Sequence, residues 1–252
     1  MTKTLTKPHT DRTHTLMEGY VIGHAYGHHT QTLKDNNVPL GTYGAVFPAT
    51  LPALPLSLRQ EIALLKSPES SHEHRHTITS LTPSIVQAAW LSAMDITLEE
   101  KLSIAKETNA GKNEEEAIAA QVVVFLVHQL TNDEVAQGEL IQAALDFSAN
   151  LPETKVQRKL QHAKTNLSAF IKDDQWNLDP LMYTGAGKDS AEILALSLLA
   201  LDSNPEDEIL ALRRSATHKG NSVKAAVLTG ALLGAAGFDY PSSWTRMVHL
   251  AV

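Results

Sequence analysis

The chain has 252 residues, 43% of them hydrophobic, and a formal net charge of −7 from 28 acidic and 21 basic side chains. That length can bury one sizeable core, and without a lysine- or arginine-rich cluster interleaved with aromatics it has no sequence basis for a nucleic-acid groove. The absence of cysteine excludes disulfides, thiolate metal ligands and cysteine nucleophiles, and is compatible with a reducing compartment.

In chain order, residues 1–15 are polar with no apolar stretch of signal-peptide length, so they read as a disordered start followed by one domain over 16–252. A cytoplasmic protein is the default expectation. The apolar pattern then has the helical period almost throughout, and it predicts helices over about 17–27, 56–66, 83–94, 98–109, 113–130, 132–149, 154–172, 188–201, 205–217 and 222–238, with a short last one from Ser242. Start signals are clear. Thr82-Pro83 reads as a cap with a first-turn proline, Thr97 to Glu100 as a capping box, and Asn204-Pro205-Glu206-Asp207 as a start with acids in the first turn. The β-type run Val122 to Val124 sits inside a helical pattern, and packing should override its propensity. The proline-spaced stretch at 48–55 and the histidine-rich stretch at 67–78 read as surface loops. Gly230 and Gly234, one turn apart beside Ala226, permit close approach of a neighbouring helix and mark a central face. The longest apolar run, Ala225 to Phe238, falls short of the roughly 20 residues a bilayer span needs and contains three glycines. The fold class is therefore all-α.

Four segments carry a family resemblance. Lys219 to Ala236, K-G-N-S-V-K-A-A-V-L-T-G-A-L-L-G-A-A, resembles the C-terminal motif of the ADP-ribosylglycohydrolase family, G-G-D-x-D-x-x-A-A-x-x-G-A-L-L-G-A. Near the N-terminus, E-G-Y-V-I-G-H-A-Y-G-H-H resembles the family opening G-x-x-x-G-x-A-x-G-D, with His28 at the aspartate position. Thr79-Ser80-Leu81-Thr82 lies where the family has T-D-D-T. The stretch Y-T-G-A-G-K-D-S-A-E from Tyr183 resembles the glycine loop that in the family contacts the nucleotide part of ADP-ribose, through Gly185 and Gly187. Pro241 and Trp244 match the closing I-P-x-x-W and read as structural.

The resemblance implies an orthogonal multi-helix bundle. In the family, aspartates of these motifs hold two magnesium ions that polarise the ribose and position a water for attack on the anomeric carbon. Here the corresponding positions are Ser80, Leu81, Asn221 and Val223. A hard divalent cation prefers anionic oxygen ligands, so the expectation is no catalytic residue, no metal and no cofactor. What remains is a polar, uncharged pocket of His28, Ser80, Thr82, Gly185, Gly187, Asn221 and Ser222. The G-A-G turn running into a helix is expected to present free amides to a phosphate. The implied partner is ADP-ribose or a related nucleotide, or an ADP-ribosylated protein, bound by a pseudoenzyme. Two other readings stay open. One is an active hydrolase using His28 or nearby acids to remove ADP-ribose from modified side chains, and the other is a structural or partner-binding module.

The other chemistry-bearing residues are weaker signals. Lys219 and Lys224 flank the altered motif and read as a loop and a solvent-side lysine, or as charge for a diphosphate. Among twelve histidines, His24 and His28 share a helical face, and His72, His74 and His76 alternate in a polar loop. With no H-E-x-x-H pattern, a zinc site there is an alternative to plain tolerance of histidine. No G-x-S-x-G elbow, P-loop or dinucleotide fingerprint occurs, and Glu114 to Glu116 read as a charged first helical turn.

Overall fold

The computed structural model describes residues 9–36, 81–109, 113–172, 184–217 and 220–251. Among these residues there are ten helices and no strand: α1 (His9–Asp35), α2 (Thr82–Ser92), α3 (Leu98–Thr108), α4 (Glu114–Thr131), α5 (Leu140–Ser148), α6 (Lys155–Lys172), α7 (Ser190–Asp202), α8 (Glu208–Thr217), α9 (Ser222–Ala235) and α10 (Ser242–Ala251). The expected helix at 56–66 and the loops at 48–55 and 67–78 lie outside the described residues.

Two helices form the centre. Every residue of α7 is buried, and in α9 only Val223 and Lys224 keep partial exposure. A helix apolar on all sides belongs in a core rather than at a surface. The contact between α1 and α9 sets the rest of the architecture. A Cβ at Gly19, Gly23 or Gly27 would fall 2.1 Å from the Gly230 carbonyl oxygen, 2.2 Å from that of Ala226 and 2.7 Å from the Val223 Cα, and one at Gly234 would fall 2.0 Å from the Thr15 oxygen. The partners step back by four, four and then three residues as α1 steps forward by four each time, so the helices run antiparallel with their backbones touching. Any side chain at these positions would force them apart. The Tyr240 hydroxyl donates to the Gly230 carbonyl at 2.6 Å and ties the segment after α9 to this contact. Helix α2 packs on α1, α4 and α9, and α7 is packed by α4, α5, α6, α8 and α9.

Several start signals act as read. Thr97 caps α3 in a full capping box with Glu100, Asn113 caps the acidic first turn of α4, and Val122 to Val124 are buried inside that helix. Other boundaries differ. Helix α1 begins at His9, so residues 9–15 are not a disordered start: Arg12 is buried and donates to the Leu130 carbonyl at 2.6 Å and to the Asp133 carboxylate at 2.8 and 2.9 Å. The helix expected from 132 begins at Leu140. Asp133 (φ 58°) and Gly138 (φ 96°) are left-handed, and the buried Asp202 carboxylate draws in the amides of Gly138, Leu140 and Ile141 at 2.8–3.2 Å. Pro83 lies in the first turn of α2, as read, but Thr82 is already helical and Leu81 occupies the flanking position. Asp207 is not inside the first turn of α8 but caps it, accepting from the Leu210 amide at 2.8 Å.

Candidate functional site

Helix α9 starts against α1 on one side and the glycine loop on the other. Asn221 is its N-cap, with Oδ1 accepting from the Lys224 amide at 3.4 Å, while its own amide donates to the Ala186 carbonyl at 3.0 Å. Gly220 has no room for a side chain, since a Cβ there would lie 1.9 Å from the Ala186 oxygen. Ser222 is fully buried and its hydroxyl donates to Gln31 Oε1 at 3.2 Å. Gln31 in turn donates to Asp35 at 2.8 Å. Val223 packs on the hydrophobic core. Lys224 is partly buried at the end of this turn, and Lys219 lies outside the described residues.

The glycine loop is held from the opposite side. Gly185 (φ 109°) and Gly187 (φ 63°) take left-handed backbone that side chains rarely adopt, and the Gly185 backbone lies directly on the Glu192 carboxylate. Glu192 is almost fully buried. It accepts from the Lys188 amide at 3.1 Å and pairs with Lys155 at 3.1 Å and Lys159 at 3.3 Å. Lys159 also donates to the Thr184 carbonyl at 2.8 Å. Asp189 caps α7 by accepting from the Glu192 amide at 3.0 Å, and its other oxygen pairs with Lys155. Burial pushes the Glu192 carboxyl up, but the Lys188 amide and the two lysines together hold it below its ordinary value. The Asp189 hydrogen bond in turn raises Lys155. Nearby Glu115 is pushed up by burial and by the charge of Asp189. Two of the amides at this helix start are therefore taken: the chain's own carboxylates hold the Lys188 and Glu192 N–H groups.

On α1, His28 follows Gly27, the residue in backbone contact with Val223. Its ring stands 4.5 Å, centroid to centroid, from that of His24. Burial, reinforced by His28, lowers the pKa of His24 to about 4, and burial alone lowers that of His28. Both are neutral at pH 7. Of the residues expected to line the pocket, the structure brings Gly185, Gly187, Asn221 and Ser222 to one junction, with His28 on the adjoining turn of α1. Thr82 opens α2, which packs on α1 and α9. Ser80 lies outside the described residues, as do His72, His74 and His76. Trp244 stacks on Tyr26 with centroids 6.2 Å apart, a packing contact. Among the described residues, no three His, Asp or Glu side chains are placed to share a metal ion.

The sequence reading missed Gln31, Lys155, Lys159 and Glu192. The spacing of Asp189 and Glu192 is that of a capping box and was a usable signal. Nothing local ties Lys155 or Lys159 to a loop some 30 residues away. No helix among the described residues is long and apolar enough to cross a membrane. The family model described as ADP-ribosylglycohydrolase matches residues 10–249. No individual curated protein and no solved structure matches the chain. With nearly the whole length covered, an all-helical fold and the glycine loop set against the start of α9, the chain belongs to the ADP-ribosylglycohydrolase family.

Proposed function

We propose that this chain is a non-catalytic member of its family that recognises ADP-ribose or a related nucleotide, free or on a modified protein, without magnesium. The observation that carries the reading is the start of α9. Where the family motif has two aspartates, Asn221 is engaged in capping its own helix and Val223 is packed on the core. A neutral amide and an isopropyl group do not make the anionic oxygen shell magnesium requires, and the Ser222 hydroxyl between them is committed to Gln31. These residues do not fit a dinuclear magnesium centre, and no hydrolytic step through one is derived. Ligand recognition is supported by family membership and by the junction of Gly185 and Gly187 with Asn221. His28, Ser80 and Thr82 complete the proposed lining, in one domain running to the C-terminus.

A second reading, a partner-binding module without a ligand, is favoured by one observation: the amides at the start of α7 are occupied by Asp189 and Glu192. Isothermal titration with ADP-ribose, with and without magnesium, separates the two. Binding that is unchanged by magnesium is the expected result. Binding that needs magnesium, or turnover of ADP-ribosylated arginine or serine peptides, would restore the active-hydrolase reading, and no heat in either condition would leave the partner-binding module.

A further inference from the structure

His24 takes no part in this proposed recognition, and its neighbour His28 enters it only as one lining residue. His24 and His28 are one helical turn apart, on one face of the helix, and a helical side chain leans toward the N-terminus, over the residue four before it. Their rings lie 4.5 Å apart between centroids and are tilted by 41°. Nδ1 of His24 is shut off from solvent and has no hydrogen-bond partner. A buried polar atom left so is destabilising, and nearly all such atoms in folded proteins find a partner. A neutral imidazole carries one N–H and one lone pair, and with the proton of His24 on Nε2 the unpartnered Nδ1 offers a lone pair toward the ring of His28.

We infer that His24 and His28 form a two-imidazole chelate for a borderline divalent cation such as Cu²⁺, Ni²⁺ or Zn²⁺, held between the rings through Nδ1 of His24 and a ring nitrogen of His28, with water completing the shell on the more open His28 side. Imidazole nitrogen suits these ions, whereas magnesium and calcium select oxygen. His28 is the less buried of the pair and offers the side from which an ion enters. No third His, Asp or Glu of the described residues joins them, so the site is an open one, unlike a closed four-ligand structural zinc centre. Affinity should follow the general order for nitrogen sites, with Cu²⁺ held most tightly. The inference shares His28 with the nucleotide reading but fails separately from it, since neither the glycine loop nor Asn221 contributes a ligand and Cu²⁺ binding is read without nucleotide.

The test is Cu²⁺ titration of the full chain at pH 7, read by affinity and by the nitrogen hyperfine pattern in electron paramagnetic resonance. The wild type is compared with His24→Gln, His28→Gln and His29→Gln, and with a triple variant His72→Asn, His74→Asn, His76→Asn that removes the alternating histidines. The expected result is one equivalent of Cu²⁺ with two-nitrogen coupling in the wild type, in His29→Gln and in the triple variant. His24→Gln and His28→Gln should each lose at least about tenfold in affinity, the lower end of what disturbing a metal site costs. Unchanged binding in both His24→Gln and His28→Gln, loss confined to the triple variant, or no stoichiometric binding in the wild type would overturn the inference. His28→Gln, at the more exposed position, keeps the test decisive if circular dichroism shows that His24→Gln fails to fold.

Discussion

The starts of α7 and α9 meet where the Asn221 amide bonds the Ala186 carbonyl, yet they satisfy the same requirement with different chemistry. Each must occupy the amides that a first helical turn leaves open. At α7 this is done with charge: Asp189 caps, Glu192 reaches back to the Lys188 amide, and Lys155 and Lys159 neutralise both acids from α6. At α9 it is done with neutral groups, a long Asn221 cap and a serine turned aside to Gln31. The acids at this junction thus serve helix capping, while the turn whose family counterpart binds metal has none. The contrast predicts that salt and acid act on the α7 side and leave the α9 side alone.

The largest effect is expected where the two starts touch. Gly220→Ala places a methyl carbon 1.9 Å from the Ala186 oxygen and 2.4 Å from its carbonyl carbon, both backbone atoms that cannot swing away. Relief requires separating the loop from α9, which breaks the Asn221 to Ala186 bond as well. A loss of about 3 kcal/mol in urea unfolding follows, the upper part of the usual range for overpacking. A loss below about 0.5 kcal/mol would mean that the junction is not a fixed contact, and the comparison of the two starts would lose its basis.

Next in size is Glu192→Gln, expected to cost about 2 kcal/mol because a buried, charge-assisted set of bonds loses its anion. Its pH signature sharpens the contrast. The folded pKa of Glu192 is depressed below 4.5, so the unfolded chain takes up this proton first, and the stabilisation present above that value is lost as pH falls below it. The gap between wild type and Glu192→Gln should therefore narrow on acidification and also with added salt. The wild-type curve alone is not the readout, because His24 adds its own slope. With a folded pKa of about 4 against 6.5, it removes up to about 3 kcal/mol as pH falls from 6.5 to about 4. A gap that stays constant with pH would show that Glu192 acts through packing and not through its charge.

What was legible in the sequence follows the range of the interactions. Helix periodicity, the Thr97 to Glu100 capping box and the one-turn spacing of Gly230 and Gly234 are local patterns, and the structure bears them out. Apart from shifts of a residue or so at the starts of α2 and α8, the failures are long-range. Residues 9–15 are polar and look unstructured until Arg12 is seen reaching the end of α4, more than 110 residues away. The start of α5 is decided by Asp202, over 60 residues downstream. At the site, the glycines of the loop could be read, but not the carboxylate already seated among its amides, because the capping role of Glu192 competes with the phosphate-seat reading of the same turn. His24 and His28 could be placed on one face, but their burial, which keeps them neutral, is a property of what packs over α1.

The smallest effect expected is at Asn221 itself. Replacing an Asn cap with Ala costs about 0.5–2 kcal/mol in general, and the bond to the Lys224 amide is long at 3.4 Å, which places Asn221→Ala near the lower end, about 0.5 kcal/mol. The bond from residue 221 to Ala186 runs through the main chain and survives the substitution, so the glycine loop stays in place. Asn221→Asp keeps an equally good cap and puts a negative charge at the positive end of α9, so stability should hold or rise by a few tenths of a kcal/mol at low salt. Both changes are read by thermal unfolding beside Glu192→Gln. If Asn221→Ala instead costs as much as Glu192→Gln, the amide side chain supports more than the first turn of α9, and the neutral start of that helix is as heavily committed as the charged start of α7.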